Sequence, residues 1–232
     1  MPDIHRIIPI LKTLYPDAVC SLEWSGDPWK LLVMGRLSAQ CTDERVNLVC
    51  PALFDRYPDV YAMAAGDVDE IGAYIRSCGL WRTKAESLKG AAECIVLRHG
   101  GKVPADREAL LALPGVGRKI ANLVLGDAFG IPGIVADTHC IRINGRLGFY
   151  PTEMKDPLKV EKILAPIVPA EEQSDYCHRM VLFGREYCMA RNPRCGDCPL
   201  AGECGTKAKA KSHHVAVPHP QQINTVPTPK KP

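Results

Sequence analysis

The chain has 232 residues, of which 46% are hydrophobic and 24% charged, ordinary values for a globular protein and long enough for one large domain or two modest ones. The formal net charge is +3, yet the five lysines beyond Gly205 (Lys207, Lys209, Lys211, Lys230 and Lys231) exceed it, and positions 1 to 204 sum to −2. That excludes a uniformly basic body and leaves any nucleic-acid binding to local sites.

No apolar run of about 18 residues is present to cross a membrane, and no apolar signal core opens the chain. An intracellular protein is expected, so its eleven cysteines are read as thiols rather than a disulfide framework. Seven of them (Cys20, Cys41, Cys50, Cys78, Cys94, Cys140 and Cys177) lie scattered among apolar stretches, as small core residues do.

The pattern predicts an all-α chain. Apolar residues at helical spacing run from Met1 to Tyr15, interrupted by Pro9. Leu31, Leu32 and Met34 mark a second helix. Thr42 is placed to cap a third through Phe54, and Asp67 a segment through Ile75. A long helix is predicted from Thr83, burying Leu88, Ala92, Ile95 and Val96. Asp106 caps a short helix ending near Leu113, and after a Pro-Gly-Val-Gly turn another runs to about Phe129. Helices over 156–168 and 171–186 close the series. From residue 205 onward the chain reads as a basic, disordered tail.

Three clusters carry chemistry. Cys188-x6-Cys195-x2-Cys198-x5-Cys204 brings four thiolates close enough in sequence to surround one metal centre. A structural zinc and an iron–sulfur cluster both take such a set, and ligand type alone does not separate them. The loop carries Arg191 and Arg194, placed to contact phosphates or simply solvent.

The second cluster is Leu113-Pro114-Gly115-Val116-Gly117-Arg118-Lys119. It predicts a glycine hairpin between two helices, with the free amides of the second helix facing an anion. A DNA phosphate is the natural partner, though a plain helix–helix turn has the same local sequence. Lys119 falls in the first turn, where the macrodipole disfavours a cation. Partial desolvation would add to that, and a neutral amine is what a Schiff-base nucleophile needs.

The third is Val135-Ala136-Asp137-Thr138-His139. Asp137 or Thr138 is placed as a helix cap, and a carboxylate there could also act on a reacting sugar. His139 reads as structural.

Together with Leu37-Ser38-Ala39-Gln40-Cys41-Thr42-Asp43, these segments occur in an order that resembles endonuclease III, in the helix-hairpin-helix DNA glycosylase superfamily. The resemblance covers about residues 1 to 204. It implies a helical barrel domain over roughly 22–132 and a second, discontinuous domain of 1–21 with 133–204 holding a [4Fe–4S] cluster on Cys188, Cys195, Cys198 and Cys204. Lys119 aligns with the nucleophile and Asp137 with the catalytic aspartate. Gln40 and Leu80 align with residues that fill the gap left by a flipped base. Gly115, Val116, Gly117, Arg118, Thr138, His139, Arg191 and Arg194 are the further expected DNA contacts. Gly35-Arg36 before Leu37 and Ala136 before Asp137 depart from the family pattern without removing a catalytic group.

The function so implied is a bifunctional DNA glycosylase and abasic-site lyase of base excision repair, excising oxidised pyrimidines through a lysine Schiff base. Its partner would be double-stranded DNA with a damaged base or abasic site. It would work as a monomer away from membranes, in the cytoplasm or nucleoid if bacterial. A monofunctional relative that hydrolyses the base without nicking, and a DNA-binding module without activity, are the alternatives; Lys119 argues against the first, and Lys119 together with Asp137 against the second.

Overall fold

The computed structural model describes residues 2–206. It is helical throughout, with no strand among the described residues. Helix α1 (Ile4–Leu14) buries Ile4, Ile7, Ile8 and Leu11, the spacing that lays one apolar stripe along a helix. Pro9 sits inside α1 without ending it.

Helix α2 (Pro28–Leu37) is buried almost all round, through Trp29, Leu31, Leu32, Val33, Met34, Gly35 and Leu37. A helix apolar on every side belongs at the centre, and α2 is flanked by α3 (Asp43–Arg56), α6 (Trp81–His99) and α8 (Arg118–Phe129). Two short helices, α4 (Val60–Ala65) and α5 (Val68–Tyr74), pack along α6. The sequence pattern does not mark α4, whose six residues are too few to show a period. Helix α6 starts at Trp81, two residues earlier than expected, because Leu80 enters it from a left-handed conformation with no side-chain cap.

Helix α7 (Arg107–Leu111) precedes α8, and the pair forms the glycine hairpin. Helices α9 (Thr138–Leu147), α10 (Pro157–Leu164) and α11 (Gln173–Glu186) complete the fold. The last two are shorter than their patterns suggest: α10 ends at Leu164, and a 3-10 turn over Ala170–Glu172 precedes α11. Helix α1 packs on α11, where Arg179 Nε donates to the carbonyl of Tyr15 at 3.4 Å. The buried apolar residues of all eleven helices form one continuous core.

No helix among the described residues is long and apolar enough to cross a membrane. The predicted basic tail lies outside the described residues except at its root. There Gly205 N–H donates to Leu147 O at 2.8 Å and Thr206 N–H to Arg146 O at 2.9 Å, so these two residues are part of the fold rather than of a loose extension.

Candidate active site

Aspartates, with one threonine at α3, cap α1, α2, α3, α4, α5, α7, α9 and α10 through their side chains. Helix α8, like α6 and α11, has no side-chain cap: its N-cap is Gly117. The amides that open α8 are left free for an outside acceptor, and the helix dipole favours a negative one.

The two hairpin glycines do separate jobs. Gly115 has φ +75°, and a Cβ there would lie 2.6 Å from Arg36 Nε and 2.7 Å from Ser87 Cβ. Gly117 has φ −94°, and a Cβ there would meet nothing within 4 Å. Gly115 is required by the turn, whereas the space beside Gly117 is open. Val116 turns its side chain into the core, so it offers only backbone to a ligand. The Arg118 guanidinium donates to Glu161 at 2.7 and 2.8 Å; Arg107 shares the same carboxylate at 3.0 Å. Arg118 therefore braces α8 against α10.

Lys119, on the first turn of α8, and Asp137, N-cap of α9, line one cavity with Ser21, Ser38, Asp43 and His178. The Lys119 side chain is exposed. Asp137 accepts the Cys140 N–H at 2.7 Å, so it is a cap as well as a cavity residue. Thr138 is exposed. His139 is half-buried, with Nδ1 3.1 Å from Arg142. Burial pushes its pKa down; Asp137 opposes this, and the positive charges of Arg142, Arg185 and Lys119 add to it.

Two cavity residues carry no sequence motif of their own. Asp43 accepts from Ser21 at 2.6 Å and Arg185 at 3.2 Å. His178 Nε2 lies 2.9 Å from Asp127 Oδ1. Asp43 falls within Leu37–Asp43 but reads there as a first-turn acid of α3; His178 gives no signal, because only packing of α11 against α8 brings it to Lys119.

Gln40 and Leu80 are both exposed and both left-handed, at φ 57° and 48°. Among the described residues only Ser25 and Asn192 share that conformation without being glycine. Holding a non-glycine residue there costs roughly 1–2 kcal/mol, and Leu80 remains 61% exposed while doing so.

Cys188, Cys195, Cys198 and Cys204 all line a second cavity of about 140 Å³, walled also by Arg146, Tyr187 and Pro193. Arg146 donates to Cys188 Sγ at 3.3 Å and to the carbonyl of Met189 at 2.7 Å. Four thiols spread around a cavity of this size, with a guanidinium donor on one sulfur, fit a multi-iron cluster. Of the two loop arginines, Arg191 is exposed, and Arg194 is held by Asp197 at 2.8 Å over the Tyr187 ring.

Comparison with known proteins agrees with this geometry. Residues 33–170 match the model of the HhH-GPD superfamily of base excision DNA repair proteins. Residues 188–204 match the iron–sulfur binding domain of endonuclease III. The endonuclease III of Synechocystis is 49% identical over 200 residues, covering 86% of this chain and 90% of that protein. A solved non-covalent endonuclease III–DNA complex superposes with a TM-score of 0.83 at 42% identity, covering 88% of this chain and 94% of the other. A trapped endonuclease III–DNA covalent intermediate gives 0.82 at 41%, covering 89% and 98%. With the uncapped hairpin helix, the Lys119–Asp137 cavity and the four-cysteine cavity all inside the matched span, the chain belongs to the endonuclease III family of the HhH-GPD superfamily.

Proposed function

We propose that the chain removes oxidised pyrimidines from double-stranded DNA through Lys119 and then cuts the strand. The observation that carries this reading is that Lys119, in the first turn of α8, and Asp137, the N-cap of α9, line one cavity at the uncapped start of α8.

A damaged base must leave the stack before its sugar can be reached, at a cost of a few kcal/mol. Gln40 and Leu80, already exposed and left-handed, fill the gap and offset that cost. The amides of Gly117, Arg118 and Lys119 hold a neighbouring phosphate. The Lys119 amine then attacks C1′ of the sugar; the C1′–N bond breaks, and the base departs with the bonding pair and a proton. The C1′–O4′ bond then breaks, the nitrogen lone pair completing C1′=N while O4′ takes up a proton, and the resulting protonated Schiff base acidifies the C2′ proton. Abstraction of that proton expels the 3′ phosphate by β-elimination. Asp137 stabilises positive charge developing on the sugar and assists the proton transfers.

Cys188, Cys195, Cys198 and Cys204 hold a [4Fe–4S] cluster, whose iron–thiolate bonds cross-link the loop after α11. That rigid loop presents Arg191 to the DNA backbone. We divide the chain into a barrel of residues 22–132 and a cluster domain of 1–21 with 133–204, the cavity lying between them. Lys119 and Asp137 come from one chain, so a single copy suffices and the protein is read as a monomer acting at the nucleoid.

Borohydride trapping tests the reading. With DNA containing an oxidised pyrimidine, reduction of the imine locks protein to DNA, and the crosslinked peptide maps to Lys119. Lys119→Gln binds the same DNA and does not trap. Excision by the intact enzyme without trapping would make water the nucleophile and overturn the lysine mechanism.

A further inference from the structure

Lys84 is the least exposed charged residue in the described chain, at 0%, and no step above uses it. It lies in the first turn of α6, where its backbone amide donates to Leu80 O. Its ammonium donates to Leu37 O and to Cys78 O, both at 2.8 Å. No acid pairs with it among the described residues. The placement is costly twice over: burial pushes its pKa down, and a cation opposes the dipole at a helix start. Neutral carbonyls do not cancel a charge, so stability is a poor reason for keeping a lysine here.

What the two bonds secure is geometry. Leu37 ends α2, and the turn that follows carries Gln40, three residues on. Cys78 ends the 3-10 turn after α5, two residues before Leu80. The thiols of Cys41 and Cys78, in the same two turns, lie beside the amine. One nitrogen thus ties the roots of both exposed, left-handed residues to one point.

We propose that Lys84 is a positioning residue for base extrusion, fixing the spacing between Gln40 and Leu80 so that both enter the duplex as one unit. This rests on Gln40 and Leu80 being the gap-filling residues. It assigns Lys84 no contact with DNA or with the reacting sugar.

The test uses the full-length, cluster-loaded protein and single-turnover excision on two duplexes. In one the oxidised pyrimidine faces a purine, and in the other it sits in a bulge with nothing opposite, where extrusion needs no filling. Lys84→Met should slow excision about tenfold on the paired duplex, with a several-fold smaller loss in the bulge. In a Gln40→Ala/Leu80→Ala background that tenfold effect should vanish. Equal losses on both duplexes would make Lys84 a fold residue only and overturn the proposal. Should Lys84→Met not fold, the surface variants decide: a linked pair makes Gln40→Ala and Leu80→Ala strongly non-additive on the paired duplex, and additive effects overturn the linkage. If neither single variant slows paired excision, the gap-filling reading itself fails, which is a different result from failure of the link.

Discussion

The hairpin glycines allow folding and binding to be pulled apart by two substitutions of the same kind. Gly115→Ala places a Cβ at φ +75°, 2.7 Å from Ser87 Cβ and 2.8 Å from its hydroxyl. The left-handed backbone costs about 1–2 kcal/mol. Forcing Ser87 and Arg36 aside adds about 1–2 kcal/mol more, at the low end of overpacking because the Arg36 end is flexible. A total of about 2–4 kcal/mol lowers the melting temperature by roughly 4–16 °C in a chain of this size. Gly117→Ala meets nothing within 4 Å at an ordinary extended backbone, so its melting temperature should stay within about 2 °C of the parent. Its methyl group, however, adds bulk at the start of α8, where the proposed mechanism places a DNA phosphate. Losing that phosphate contact should weaken binding to an abasic-analogue duplex about tenfold and lower the salt slope by about 1. Calorimetry on the iron-loaded proteins and fluorescence anisotropy at several salt concentrations measure the two quantities. Gly117→Ala binding DNA as tightly as the parent would refute the assignment of the hairpin amides to phosphate. Gly115→Ala melting unchanged would refute the steric argument.

Asp137→Asn keeps the cap to Cys140 N–H but removes the charge; excision should fall at least about a hundredfold with DNA binding intact, and near-normal turnover would leave Asp137 as a cap only. Burial alone would raise the pKa of Glu161, but hydrogen bonds from Arg118 and Asn122 and the charges of Arg118 and Arg107 hold it below the usual carboxylate range. Its stabilisation is therefore complete above its unfolded value of about 4.3 and is lost as pH falls through the lower folded value. Glu161→Gln should cost about 1–2 kcal/mol at neutral pH, discounted for the partly exposed arginines, and should flatten the acid limb of a stability-against-pH curve; an unchanged acid limb counts against the Glu161 pairing. Cys195→Ser should lose the bound iron and lower the melting temperature, since a metal site made only in the folded state contributes folding energy; full iron content by metal analysis would remove Cys195 from the ligand set.

Much of this protein was legible in its residues because the signals are local. The caps at Asp67, Asp106 and Asp156, the apolar stripe of α1 and the hairpin glycines each depend on neighbours a turn away. The four cysteines declare themselves by spacing, and the order of the motifs points to Lys119 and Asp137. Non-local matters stayed hidden. The guanidinium of Arg118, a residue expected at the DNA, is bonded to Glu161, 43 residues away. His178 carries no motif, and the fold brings it into the cavity. Helix α4 is too short to show a period. Lys84 carries no sequence signal, yet it is fully buried and bonded to a carbonyl 47 positions back. Sequence specifies what each residue can donate, accept or bury; which partner it meets depends on how separate helices pack, and only the tertiary structure decides that.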